Sequence, residues 1–293
     1  MPKSLHVEHT TLYRYANAVQ FGEHRMMLRP RDSHDMRLVT TELDISPPAD
    51  LRWLHDVFGN SIAIARFSQP ADELRIVSRL TLERFGLAKP VFELAPAAQY
   101  YPFAYTPDER LDLGAQLARG YDDPDSVLAR WTQGFVAANP TGTLALLADI
   151  NAGIKAQFAY VARDVEGTQT PLQTLARRSG TCRDFALLMI EAARYLGLAA
   201  RFVSGYLHVP ALDPVQGGMR GAGATHAWAN IYLPGAGWVE YDPTNGIIGG
   251  EALIRVAVTR DPSQAVPVSG SFSGRPGDYL GMSAQVVVSS GAG

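Results

Sequence analysis

Apolar and polar positions alternate with period two at Leu5, Val7, His9, Thr11 and Tyr13, and again over residues 37–45, 51–56, 61–67 and 74–85. That rhythm predicts antiparallel strands, with Pro47-Pro48, Gly59-Asn60 and Gln69-Pro70 as the turns of a sandwich or meander. Residues 86–124 break it: Pro90, Pro96, Pro102 and Pro107 bar a long regular element and mark a linker. Helical spacing follows at 108–118, at 125–138 and at 143–158. Thr170-Pro171-Leu172-Gln173 fits a capping box that opens a short helix ended by Gly180. From Phe185 the apolar residues recur at Leu188, Met189, Ala192, Tyr195 and Leu196, the spacing of a helix with one buried face, and Gly197 supplies its stop. Strands are expected again at 200–209, 254–258 and 283–288, with residues 289–293 disordered. The division that results is a β domain over 1–85, a linker over 86–124, an α+β core over 125–250 and C-terminal strands with a tail over 251–293.

The single cysteine, Cys182, falls at the start of the helix that contains Phe185. Gly180-Thr181 before it supplies a turn and an N-cap. A thiol at that place meets unpaired backbone N–H groups and the positive end of the helix dipole, both of which favour thiolate. Free cysteines are also among the most buried residue types, so position alone leaves a packing role open. Tyr160, upstream, is a candidate polar neighbour of the thiol, with a packed aromatic as its alternative reading.

Downstream, Ala227, Ala229, Ile231 and Leu233 alternate with His226, Trp228, Asn230 and Tyr232, and Pro234-Gly235-Ala236-Gly237 joins this strand to Trp238-Val239-Glu240-Tyr241-Asp242 as a hairpin. His226 and Asp242 thus fall on neighbouring strands, and a base oriented by a carboxylate is what a cysteine nucleophile needs. A four-residue loop would place Asp242 opposite Ala229, three residues from His226. Contact between the two therefore requires a bulge or another shift of register.

The segments Gly180-Thr181-Cys182-Arg183-Asp184-Phe185-Ala186, Val203-Ser204-Gly205-Tyr206-Leu207, Thr225-His226-Ala227-Trp228 and Gly237-Trp238-Val239-Glu240-Tyr241-Asp242-Pro243-Thr244 resemble the bacterial transglutaminase-like superfamily, whose members are read as cysteine proteases. The β-rich stretch before residue 85 is similar to the N-terminal region that accompanies that core. The resemblance implies a papain-like, transglutaminase-like α+β core with the nucleophile helix packed on an antiparallel sheet. It also implies a triad of Cys182 as nucleophile, His226 as base and Asp242 as its orienter, with Trp228 beside the substrate or oxyanion. Leu187 stands where a histidine is expected and Asn230 where an acidic residue is common, both with a bearing on substrate contacts.

Composition narrows the alternatives. At 293 residues, 46% hydrophobic and 19% charged, the chain is long enough for two cored domains. A formal charge of −3 without a basic run argues against nucleic acid. One cysteine excludes an intramolecular disulfide, and neither an apolar leader nor a membrane-length stretch is visible, so no membrane partner and a cytoplasmic location are expected. His6, His9, His24, His34 and His55 carry no carboxylate or cysteine at ligand spacing, so neither a metal nor another cofactor is expected. The glycine-rich residues 213–223 match no phosphate loop and read as a mobile rim of the site. No G-x-S-x-G occurs, which disfavours a serine hydrolase.

The expected chemistry is acyl transfer on a peptide or protein amide through a thioester, with the Cys182 N–H as oxyanion donor. Asp184, two residues into the helix, is expected to be structural and neutralised by Arg183 or another cation. Hydrolysis is favoured over transamidation because the rim is glycine-rich and Asn230 offers no charge to hold a lysine. A non-catalytic peptide-binding module is the remaining class.

Overall fold

The computed structural model describes residues 2–85, 90–163, 167–208 and 223–290. The rim of residues 213–223 lies outside these residues except for Gly223. Strands β1 (Lys3–Phe21), β2 (His24–Arg29), β3 (Met36–Ser46), β4 (Ala49–His55), β5 (Ser61–Phe67) and β6 (Ala71–Arg84) form two antiparallel sheets, with every strand but β2 expected from the alternation. One runs β1-β6-β3 and the other β2-β5-β4. They share a core in which Tyr15, Val19 and Phe21 meet Met26, Leu28, Ala63, Ala65, Leu74 and Ile76. The opposite face of the second sheet is also covered, since Met27, Ile62 and Ile64 join the core of the rest of the chain.

Helices α1 (Pro107–Leu113), α2 (Val127–Gln133), α3 (Thr143–Gln157), α4 (Pro171–Arg177) and α5 (Cys182–Tyr195) follow, each shorter than or equal to the expected run. The linker is not loose: Tyr100-Tyr101 pair with Thr141-Gly142, and Tyr105 is buried with its hydroxyl donating to the Tyr232 carbonyl at 2.8 Å. The core sheet has the order Ile247–Ile248, β9 (Gly237–Asp242), β8 (His226–Leu233), β7 (Ala200–Leu207) and β10 (Leu253–Thr259). Helix α5 lies against it. Phe185, Leu188, Met189 and Ala192 pack with Ala227, Ala229, Ile231, Val239 and Tyr241, the odd positions of the hairpin. Gly197, at φ +77°, ends the helix, and the Leu198 N–H returns to the Ala193 carbonyl at 2.9 Å.

The C-terminal residues divide differently from expectation. β10 is the edge strand of the core sheet, whereas β11 (Tyr279–Ser290) pairs along β1 and returns the chain to the first unit. Ser289 and Ser290, expected to be disordered, are paired with His6 and Leu5, because an unpartnered β1 edge offers a full ladder of backbone bonds. Among the described residues no helix is long and apolar enough to cross a membrane.

Candidate active site

Thr181 caps α5: its hydroxyl accepts from the Asp184 N–H, and the Asp184 carboxylate accepts the Thr181 N–H at 2.8 Å. The capping box leaves the N–H groups of Cys182 and Arg183 unused, so the sulfur stands at the electropositive end of a 14-residue helix. Gly180 is required just before it, because a Cβ there would come within 2.8 Å of the Asp184 Cβ. Asp184 is structural, as expected, but its cation is Arg163. That guanidinium donates to both carboxylate oxygens at 2.9 and 3.1 Å, and Gln169 adds its N–H at 2.6 Å and its amide at 3.0 Å. Burial pushes the carboxyl up, but bonds from Arg163, Gln169 and Thr181 outweigh it and hold it below its usual range. Arg183 turns the other way, over the Phe202 ring and onto the carbonyls of Pro262 and Ala265.

The hairpin solves its register with a tighter loop, not a bulge. Leu233 pairs with Gly237, Tyr232 with Trp238, Asn230 with Glu240 and Ala229 with Tyr241, so the loop is the three residues 234–236. One residue fewer than expected moves Asp242 from the face of Ala229 to the face of His226, where it is a diagonal neighbour. The imidazole Nε2 meets Asp242 Oδ2 at 2.8 Å, with both side chains fully buried. The other oxygen of Asp242, Oδ1, accepts the N–H of Thr244 at 3.0 Å and of Asn245 at 3.4 Å, so the carboxylate shapes the turn as well as orienting the ring.

The ring's Nδ1 is buried and makes no hydrogen bond of ordinary geometry, and Cys182 is the other group that acts on this histidine. Burial alone would lower the imidazole pKa. The charge and hydrogen bond of Asp242, followed by Cys182, overcome that and raise it to about 10. The ring stands between the Asp242 carboxylate and the Cys182 sulfur, a setting that favours its protonated form. Cys182 itself is only 7% exposed.

Other expected residues fall in different places. Tyr160 is held near the thiol by backbone pairing of Ala159-Tyr160 with Ser179-Gly180, and its ring packs edge-on against Phe185 at 6.5 Å. Trp228 lies beside His226, with ring centroids 6.1 Å apart. It is fully buried among Val203, Leu207, Leu253 and Val258, and its indole N–H is taken by Glu240 at 3.2 Å, so it has no donor left for an oxyanion. Leu187 and Asn230 are buried too. Among the described residues no three His, Cys, Asp or Glu gather as a metal site. Sequence reasoning missed Asn245 and Arg163. Asn245 follows Asp242 by three residues in an Asp-Pro-Thr-Asn-Gly turn, a spacing that brings side chains together, whereas Arg163 lies in irregular chain and had no signal.

A thiol at the start of a helix laid on an antiparallel sheet, beside a histidine–carboxylate pair on a hairpin of that sheet, defines a transglutaminase-like α+β core. Residues 5–83 match the bacterial transglutaminase-like N-terminal region and residues 129–243 match the transglutaminase-like superfamily. The chain belongs to that superfamily. It is 31% identical over 274 residues to the uncharacterized protein Rv2569c of Mycobacterium tuberculosis, covering 90% of this chain and 86% of that one. It is 27% identical over 287 residues to the uncharacterized protein ML0607 of Mycobacterium leprae, covering 92% and 94%. In fold it is similar to a putative cysteine protease from Cytophaga hutchinsonii, with a TM-score of 0.73 at 18% identity over 99% of this chain and 91% of that one.

Proposed function

We propose that this protein is a thiol-dependent acyl-transfer enzyme that hydrolyses an amide bond of a peptide or protein. The observation that carries the reading is the buried 2.8 Å pair of His226 Nε2 and Asp242 Oδ2 next to the only cysteine, itself at a helix N-terminus. An imidazolium beside the sulfur supplies both the charge that favours a thiolate and the proton that the leaving group needs. The Cys182 sulfur attacks the amide carbonyl carbon, and the carbonyl oxygen takes up the electron pair while the Cys182 N–H steadies it. The C–N bond then breaks as His226 gives its proton to the departing amine, leaving a thioester. The neutral imidazole next takes a proton from water, whose oxygen displaces the sulfur and regenerates the thiolate–imidazolium pair. Asp242 keeps the ring oriented through both halves. The description of the fold neighbour as a protease agrees with a hydrolytic outcome.

The test uses a library of glutaminyl and other peptides with a labelled primary amine at millimolar concentration. Cys182→Ala is expected to abolish turnover, and wild type to release amine or cleave peptide without stable incorporation. Incorporation in excess of hydrolysis would make the enzyme a transglutaminase, and rapid alkylation of Cys182 without turnover of any amide would point to a binding module.

A further inference from the structure

The amide nitrogen of Asn245 lies 2.9 Å from Asp242 Oδ2, the same oxygen that meets the imidazole, and 3.5 Å from His226 Nε2. A carboxylate only accepts, so the group presented to it is the N–H₂ of the carboxamide. The backbone N–H of Asn245 reaches the other oxygen, Oδ1, at 3.4 Å. One residue thus donates to both oxygens of the orienting carboxylate. The turn that carries it is fastened from two sides. The Gly246 N–H donates to the Asp242 carbonyl at 2.8 Å with Gly246 at φ +72°, and Lys155 at the end of α3 donates its ammonium to the Asn245 carbonyl at 2.8 Å. Asn245 is half-buried and Gly246 exposed, whereas His226 and Asp242 have no exposed side-chain surface. On this turn the chain passes from the buried pair to the surface.

We propose that Asn245 is a positioning residue of the triad: its carboxamide shares Oδ2 with the imidazole and fixes the carboxylate so that Nε2 always meets the same oxygen, while Lys155 holds the turn in place. The proposal rests on the triad assigned above. Without the amide, Oδ2 keeps one donor where it had two, and the carboxylate can turn about its remaining bonds to backbone N–H groups. Water then competes for the imidazole N–H. With an aspartate in its place, a second negative charge stands within reach of Nε2. The two replacements therefore act on the ring in opposite directions, which a purely architectural role would not do. Among the described residues, the other titratable groups at the pair and its turn are Cys182 on α5 and Lys155 on the Asn245 carbonyl; Arg183 turns away over Phe202, and Asp184 is occupied by Arg163.

The experiment follows the second-order rate of Cys182 alkylation by iodoacetamide against pH, with thermal midpoints in parallel, for wild type, Asn245→Ala, Asn245→Asp, Lys155→Met and Asp242→Ala. This readout needs no substrate. The alkaline limb, where the imidazolium loses its proton, is expected to fall by about one pH unit in Asn245→Ala and to rise in Asn245→Asp. Lys155→Met should move it down by less. An unchanged limb in both Asn245 variants, or shifts of the same sign that track thermal midpoint, would overturn the assignment of Asn245 while leaving the triad in place. A wild-type profile that Asp242→Ala does not alter would overturn the triad reading and the proposal with it.

Discussion

At the scale of single residues, the site depends on buried carboxylates whose oxygens are all hydrogen-bonded. Asp184 has no exposed surface, yet it stays ionised because Arg163, Gln169 and Thr181 supply donors to both oxygens. Removing the guanidinium leaves that carboxylate buried with only neutral partners. Arg163→Met is expected to cost about 2–3 kcal/mol, below the full penalty for a broken buried pair because the amide and backbone donors remain, and a urea titration measures it. The His226–Asp242 pair makes a pH statement of its own. The imidazole pKa rises from 6.5 to about 10 on folding. The folded state therefore binds the extra proton between those values, and the stability it contributes is full below 6.5 and lost as pH rises through about 10. Asp242→Asn removes the cause of the shift. Its thermal midpoint should fall below that of wild type by more at pH 6 than at pH 10, and parallel curves would show that the pair does not titrate this way. Cys182, His226 and Asp242 could be singled out as candidates from the sequence because their types and their helix and strand positions carry the chemistry of the proposed reaction. Asn245 and Arg163 could not be, since side-chain pairing across a turn or from irregular chain leaves no periodic trace.

At the scale of elements, the hairpin shows what pattern reading can and cannot supply. Alternation assigned β8 and β9 and the faces of each strand, but the pairing of the two depends on the length of their loop. Three residues at 234–236 put His226 and Asp242 on one face, whereas four would put them on opposite faces. Inserting one glycine after Ala236 should therefore abolish the low-pH alkylation of Cys182 while the protein still unfolds cooperatively. Retention of wild-type alkylation would mean that the strands absorb the extra residue in the loop. β2 escaped prediction for a related reason: Met26 and Leu28 face one core and Met27 the other, so a strand buried on both faces loses its alternation. Helix lengths were overestimated for α1 and α2, which stop at Gly114 and Gly134, glycines that the apolar spacing ran past. α5, with its capping box and Gly197, was read almost to the residue.

At the scale of the whole molecule, the β unit packs on the core sheet and holds the strands that carry the candidate site. Leu5, Val7, Leu80 and Leu82 of its first sheet pack on Tyr206, Ile254 and Val256 of β7 and β10. Asn60 exchanges two hydrogen bonds with the backbone of Val258, and a chain of charges runs from Arg84 through Asp35 and Arg255 to Glu240, two residues before Asp242. The chain bracketing the region before His226 is tied to the same unit, with His208 bonded to Ser290 and the Gly223 carbonyl accepting from the Val286 N–H. His9 sits in this seam, 1% exposed and 3.0 Å from the Tyr206 hydroxyl, and burial lowers its pKa from 6.5 to about 4. His208 is shifted the same way by burial. Here the sign is opposite to that of His226. In the unfolded chain His9 takes up a proton at 6.5, so the stability it contributes is full above 6.5 and is lost as pH falls toward about 4. The seam therefore weakens in acid just where the His226–Asp242 pair is at its full strength. A glutamine at position 9 keeps a hydrogen-bonding side chain for Tyr206 but cannot titrate. The thermal midpoint of His9→Gln is expected to lie below that of wild type at pH 7.5 and to converge on it by pH 4.5, as wild type loses the contribution that the variant never had. A constant offset across that range would show that His9 titrates alike in the folded and unfolded chain, and that the acid sensitivity of the seam lies with other residues.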